Sequence, residues 1–416
     1  MDNERGFNMT TVACSDVEAA RAALRGVIRH TSLDLSRTFS KLAHNEIYLK
    51  MENLQKTGSF KIRGAYNKIH RLSPEEKRRG VIAASAGNHA QGVAYAAARA
   101  GLRATIVMPE TAPLTKVMAT RGYGAEVVLA GQIYDEAFQR AKELEAEQGA
   151  TFIHAFDDAA VIAGQGTVGL EILEDLPDVS TIVVPVGGGG LIAGLATAVK
   201  ALAPQVRIIG VQASGAPAMY LSKQEHHLVT IKEAATVADG IAVKVPGSLT
   251  YDIIRDHVDD IVTVSDEEIA GTILILLERA KVVAEGAGAV GLAAVLNGKI
   301  PGRDRKTAVV ISGGNIDVNV ISRIIERGLR KAGRRIRLAM SVPDRPGTLG
   351  KVLNTIAGLR VNVISIYHDR IGANVALGQA EVILSLETRN EEHSAQLLKA
   401  LNDEGYAVKI LGQTGD

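Results

Sequence analysis

Cysteine, tryptophan and unbalanced charge are what this 416-residue chain has least of, and each shortage excludes a class of function. A single cysteine, Cys14, rules out an intrachain disulfide and points to a reducing, cytoplasmic setting. Tryptophan is absent, aromatic residues make up 4%, and none is interleaved with the arginines of residues 323–337, which argues against a nucleic-acid patch there. Lys plus Arg (47) and Asp plus Glu (46) cancel to +1, which leaves no global field for nucleic acid or an anionic membrane. Met1–Gly6 mixes charges and leads into no apolar run, unlike a signal peptide. Thr181–Val199 lacks charge and approaches the ~20 residues of a membrane span, but four glycines interrupt it and argue for strand, turn and helix. A small molecule is the expected ligand.

Those glycines, Gly187, Gly188, Gly189 and Gly190, stand between the apolar run Thr181–Val186 and the helix-like Leu191–Leu202. Without Cβ atoms, such a turn can wrap its N–H groups around a phosphate, with the helix dipole adding to the attraction. Gly188-x-Gly190-x-x-Ala193 also satisfies a relaxed dinucleotide-binding pattern. That reading needs a ribose-binding acid at the end of the next strand, and Ile208–Gln212 supplies none.

Along the chain, Ser15-Asp16-Val17-Glu18 reads as a capping box for a helix with Val17, Ala20, Leu24 and Ile28 on one face. Short apolar runs then alternate with helical patterns: Glu46–Met51, Val81–Ser85, Thr105–Met108, Glu126–Leu129, Phe152–Ala155, Ile182–Val186, Ile208–Gln212, Ile261–Val264 and Ala308–Ile311. The rhythm is α/β, which implies mostly parallel sheets with ligands at the carboxyl ends of strands. Seven Arg and Lys residues cluster between Arg323 and Arg337 and mark a boundary, read as a solvated helix and linker. Beyond it the order β-α-β-β-α-β predicts a ferredoxin-like unit with no catalytic constellation of its own. The expected division is a catalytic domain over 1–328, with a smaller inserted lobe at about 56–157, a basic linker over 329–335, and a small domain over 336–416.

Four motifs carry the chemistry: Gly58-Ser59-Phe60-Lys61-Ile62-Arg63-Gly64-Ala65, Ser85-Ala86-Gly87-Asn88-His89-Ala90-Gln91-Gly92, the glycine run, and Ser312-Gly313-Gly314-Asn315. Together they resemble the threonine and serine dehydratases among the fold-type II pyridoxal-phosphate enzymes, a two-lobed, tryptophan-synthase-β-like fold, across residues 15 to 325. The resemblance implies that Lys61 forms the cofactor Schiff base and later serves as general base. It places the cofactor phosphate on Gly187–Gly190 and Leu191, the ring hydroxyl on Asn88, and the pyridine nitrogen on Ser312. Ser85, Gly87, Asn88 and His89 are the implied contacts of the substrate carboxylate. Schiff-base chemistry needs a lysine with a lowered pKa, which burial encourages. A neutral serine hydroxyl makes the ring a weaker electron sink than a carboxylate would, so β-elimination is the natural outcome.

The implied reaction is deamination of L-threonine to 2-oxobutanoate and ammonia, and of L-serine to pyruvate. Serine racemases of this family carry a second serine at the position of Ala86, and alanine cannot deliver a proton there. Metal-activated relatives carry carboxylates at the positions of Gln212 and Ala218, both uncharged here, so no metal is expected. Val342–Leu349 resembles the first strand-to-helix loop of ACT domains, which implies control by a branched-chain amino acid, with Asp344, Gly347 and Asn362 as effector contacts. The resemblance also implies a homo-oligomer, with a tetramer favoured. The alternatives are a hydroxyaspartate ammonia-lyase, a racemase-like enzyme, a dinucleotide-binding protein and a non-catalytic amino-acid sensor.

Overall fold

The computed structural model describes residues 12–302, 305–372 and 375–411, so Met1–Gly6 lies outside the described residues. Contacts divide the chain into Met1–Asp317 and Val318–Asp416. In the first unit the strands are β1 (Leu33–Leu35), β2 (Glu46–Lys50), β3 (Val81–Ala84), β4 (Ala104–Met108), β5 (Glu126–Leu129), β6 (Thr151–Phe152), β7 (Thr181–Pro185), β8 (Arg207–Ala213), β9 (Asp260–Val264) and β10 (Lys306–Val310). They form two sheets, ordered β1-β2-β10-β7-β8-β9 and β5-β4-β3-β6. Every pairing is parallel except β1 with β2. The smaller sheet is inserted between β2 and β7 of the larger, and helices cover both faces of each, as parallel strands require. β3, β4 and β7 are buried throughout, which explains their unbroken apolar sequences.

All nine expected strands form, with ends shifted by a residue or two in most. Phe152–Ala155 shrinks to the two residues of β6 because the chain leaves the sheet at Ile153 and turns toward the glycine run. β1 escaped the sequence reading, being three residues long and antiparallel. The first helix, Cys14–Leu24, starts before the expected capping box, and the Asp16 carboxylate accepts the Ala13 N–H at 3.0 Å. Ser15 therefore lies inside the helix, and Ile28 lies beyond its end.

The helix Ala159–Asp175 packs closely against two others. Gly164 of the helix Ala159–Asp175 faces the helix Lys61–His70, and an added Cβ would lie 2.5 Å from the Arg63 carbonyl oxygen. Gly166 faces the helix Gly190–Leu202, where its Cβ would meet the Gly194 carbonyl oxygen at 2.6 Å. Glycine at these crossings lets backbones approach where any side chain would collide. No helix among the described residues is long and apolar enough to cross a membrane.

The second unit begins with the helix Val318–Lys331, so part of the expected 329–335 linker is helical and the division falls earlier than 328. It continues with β11 (Arg335–Pro343), β12 (Asn362–Asp369), β13 (Gln379–Glu387) and β14 (Val408–Ile410), with the helices Thr348–Gly358 and Glu391–Asp403 between them. The antiparallel order β12-β13-β11-β14 is that of the ferredoxin-like unit expected.

Candidate active site

Each functional side chain sits where a strand or short turn hands over to a helix. Lys61 opens the helix Lys61–His70. The preceding residues are tied to the Ser312–Asn315 segment: Phe60 N donates to Ser312 O at 3.1 Å, and Gly314 N to Gly58 O at 2.9 Å. Lys61 Nζ donates to Ala155 O at 2.9 Å. Burial pulls its pKa down to about 8, with Glu285 acting in the opposite direction. Roughly a tenth of the amine is then neutral at pH 7, far more than for an ordinary lysine, which favours Schiff-base chemistry.

The glycine run forms the turn between β7 and the helix Gly190–Leu202, with Gly189 at φ +98°. An added Cβ on Gly188 would lie 2.5 Å from the Phe156 ring, and one on Gly190 would lie 2.9 Å from the Phe156 backbone. Thr250 Oγ1 donates to Gly188 O at 2.6 Å, fixing the turn from behind. The first N–H groups of a helix have no partner within it, and here they belong to Gly190 and Leu191. The cradle therefore suits a phosphate and admits no side chain.

Asn88 opens the helix Asn88–Arg99. Its Nδ2 donates to Glu285 Oε1 at 2.6 Å and its Oδ1 accepts from Asn315 Nδ2 at 2.8 Å. Ser312, 2% exposed, donates weakly to Ala287 O at 3.3 Å, so its hydroxyl is free to turn to a stronger partner. The Ser59 and Thr57 hydroxyls, beside Lys61, are buried without hydrogen-bond partners. Depressed lysine, glycine cradle, weakly held serine and orphaned hydroxyls fit a bound pyridoxal phosphate.

Contacts join these groups into one site. From Lys61 a chain of contacts runs through Ala155 and Phe156 to Gly188; the Glu285 charge acts on Lys61 electrostatically, and contacts link Glu285 to Asn88 and Gly313. Around the expected carboxylate pocket, Ser85 Oγ accepts the Gly87 N–H at 3.1 Å, and the space beside Gly87 is open. The ring of His89, an expected contact of the substrate carboxylate, is engaged elsewhere. It bonds Ile153 O at 2.8 Å, and burial and Lys61 drive its pKa down to about 3. The neutral ring is a structural donor, which leaves its backbone N–H at the helix start for a ligand.

Sequence reasoning missed Glu285 and Phe156. Burial and Asp239 push the Glu285 carboxyl up to about 7. Its signal in the sequence is that it is the one charge between Lys281 and Lys299. In the second unit, Asp344 pairs with Arg370 at 3.0 Å and Gly347, at φ +90°, precedes a helix, while Asn362 donates to Glu387 at 3.2 Å. β11 and β12 place Pro343 against Gln379 and Asn362 against Glu387, at opposite ends of β13. One copy of the chain thus brings Asp344 and Gly347 together but not Asn362.

Comparison with known proteins agrees with this geometry. Residues 24–313 match the family of pyridoxal-phosphate dependent enzymes, and residues 336–405 match the ACT domain. An L-threonine ammonia-lyase of Thermotoga maritima is 53% identical over 401 residues, covering 96% of this chain and 100% of the relative. The processed form of threonine deaminase isoform 2 from Solanum lycopersicum is 40% identical, with a TM-score of 0.72 over 75% of this chain and 87% of that one. Maize serine racemase is 35% identical, with a TM-score of 0.73 over 77% of this chain and 99% of that one. The chain belongs to the pyridoxal-phosphate dependent enzyme family, with an ACT domain joined to the catalytic fold.

Proposed function

We propose that this chain is an L-threonine ammonia-lyase: it removes the α-proton and β-hydroxyl of L-threonine and releases 2-oxobutanoate and ammonia. L-serine gives pyruvate by the same route. The carrying observation is the lysine with depressed pKa, joined through Ala155 and Phe156 to a side-chain-free phosphate cradle. The names of the relatives support threonine as substrate. Ala86 at the racemase serine's position supports elimination over racemisation, although a racemase shares the fold.

Bound pyridoxal phosphate supplies the electron sink that makes the substrate α-proton acidic. Lys61 would hold the cofactor's aldehyde end and, as a neutral amine, would take the substrate α-proton. Gly187–Gly190 and Leu191 would bind the phosphate through backbone N–H groups at the helix start, Asn88 would hold the ring hydroxyl, and Ser312 would serve the pyridine nitrogen. The Ser85–Gly87 turn and the N–H groups of Asn88 and His89 orient the substrate carboxylate at a helix start. The β-hydroxyl leaves with a proton as water, and hydrolysis of the enamine product then releases ammonia.

The ACT domain supports control by an amino-acid effector, for which a branched-chain amino acid at the Asp344–Gly347 turn is the proposal. The enzyme is further proposed to work in the cytoplasm as a homo-oligomer, a tetramer favoured. The test is 2-oxo acid release from threonine, serine and hydroxyaspartate, with and without isoleucine or valine. Equal rates in wild type and Lys61→Ala reject the mechanism; hydroxyaspartate as the preferred substrate rejects the substrate assignment.

A further inference from the structure

Two residues after Lys61, on the same first turn of helix, Arg63 is 0% exposed and among the largest fully buried side chains. Its guanidinium uses every N–H it has. Nε and Nη2 donate to Glu52 at 2.8 and 2.7 Å, Nη1 and Nη2 to Glu171 at 2.6 and 2.9 Å, and Nη1 to Thr167 Oγ1 at 3.1 Å. Lys50, also 0% exposed, pairs with Glu171 at 2.7 Å and donates to Thr31 O at 2.7 Å. Two buried cations thus face two buried carboxylates. Stability alone gives little reason for such a cluster, since apolar residues of similar volume often hold a core as well.

Geometry supplies a reason. Glu52 follows β2 of the large sheet, and Glu171 lies on the helix Ala159–Asp175. That helix touches both ends of the site: it crosses the Lys61 helix at Gly164 and the glycine-run helix at Gly166. The crossing with the Lys61 helix also carries single hydrogen bonds, Gln165 Oε1 accepting from Gly64 N at 3.1 Å and Asn67 Nδ2 donating to Ala160 O at 2.7 Å, and single bonds resist sliding and rotation less than a planar fork does. Two bidentate forks at fixed angles resist both.

We propose that Arg63 is a positioning residue that holds Lys61 in register with the phosphate-binding glycine run, by locking its helix to the large sheet and to the Ala159–Asp175 helix. A cofactor held at its phosphate and at its aldehyde spans two separate elements, and a shift of about 1 Å between them can cost about 100-fold in rate. The inference rests on the reading of Lys61 as the cofactor's anchor.

The test uses full-length holoenzyme with Arg63→Lys, which keeps the buried charge but loses the fork, and Thr167→Val, which removes one contact and no charge. Ile208→Ala, in the buried part of β8, is the destabilised control. Folding is followed by thermal melting, cofactor dissociation by equilibrium dialysis and the visible absorbance of lysine-bound cofactor, and turnover by kcat and KM. Expected for Arg63→Lys are cofactor binding weaker by about tenfold or more and kcat lower by about 10- to 100-fold, with KM for threonine within about threefold. Thr167→Val should move the same quantities less, and Ile208→Ala should melt lower yet keep wild-type cofactor affinity. Cofactor affinity and kcat within twofold of wild type in folded Arg63→Lys would overturn the inference. So would equal loosening in Ile208→Ala. Should Arg63→Lys fail to fold, an unshifted Thr167→Val overturns it alone. Borohydride reduction of wild type followed by peptide mass analysis separates the two levels: absence of a pyridoxyl label on Lys61 defeats the anchor reading, whereas a labelled Lys61 with tight-binding variants defeats only the role of Arg63.

Discussion

Lys61 Nζ donates to the carbonyl oxygen of Ala155 at 2.9 Å. The next residue, Phe156, fills the space that a side chain at Gly188 would need. Lys61, the proposed cofactor anchor, and the glycine run proposed to hold the phosphate thus touch two consecutive residues of one connecting segment. The distance between them is fixed by packing on Phe156.

Gly188→Ala should break that arrangement, because its Cβ would stand 2.5 Å from the aromatic ring. Overpacking of this kind costs about 1–3 kcal/mol. The measurement is cofactor titration of apoenzyme, with affinity expected to fall about tenfold or more. Phe156→Leu added to Gly188→Ala should recover part of the loss; no change in affinity for Gly188→Ala would mean that the turn does not hold the phosphate.

Glu285 gives a pH signature. Its pKa rises from 4.5 in the open chain to about 7 in the fold, chiefly through burial and then Asp239. The folded protein therefore binds the extra proton between those values, and the carboxyl's contribution to stability falls as pH rises through that window. Glu285→Gln keeps an acceptor for Asn88 and removes the titration. Apoenzyme melting should show the variant gaining on wild type by about 1–3 kcal/mol between pH 4.5 and pH 8. A constant difference across that range would contradict the assignment.

Lys61 in the apoenzyme should react with amine-directed reagents with a midpoint near pH 8, where it titrates because of burial. Exposed lysines titrate near 10.4. Site-resolved labelling against pH by mass spectrometry distinguishes them, and a midpoint near 10 at Lys61 would remove the case for a pre-lowered amine.

Ser312→Ala tests the ring partner. The hydroxyl has one long bond in the fold, so stability should change by less than about 1 kcal/mol. Loss of the proposed hydrogen bond to the ring nitrogen should lower kcat by about two- to tenfold, read in steady-state turnover of threonine. Unchanged kcat would place the pyridine nitrogen elsewhere.

Much of the site was legible because its members sit at element starts, where sequence signals are local. Lys61 and Asn88 each begin a helix, the glycines fill a strand-to-helix turn, and Ser312 follows a buried strand. Glu285 was not legible, because what gives it meaning is Asn88, 197 residues away. The same holds for Arg63, whose carboxylate partner Glu171 lies 108 residues on. That Ile153 O takes up the His89 ring was not legible, because the two lie 64 residues apart. Local pattern also set the first helix too late, because Asp16 rather than Ser15 satisfies the chain before it. In the ACT domain, strand order was readable but register was not, and register is what parts Asn362 from Asp344.

The most direct measurement is borohydride reduction of the purified, cofactor-loaded enzyme, followed by peptide mass analysis and a parallel threonine assay of wild type and Lys61→Ala. The expected result is a single pyridoxyl group on Lys61, 2-oxobutanoate release by wild type, and release lowered by at least about a thousandfold in the variant. A pyridoxyl group on another lysine, or equal turnover in Lys61→Ala, would contradict the central claim.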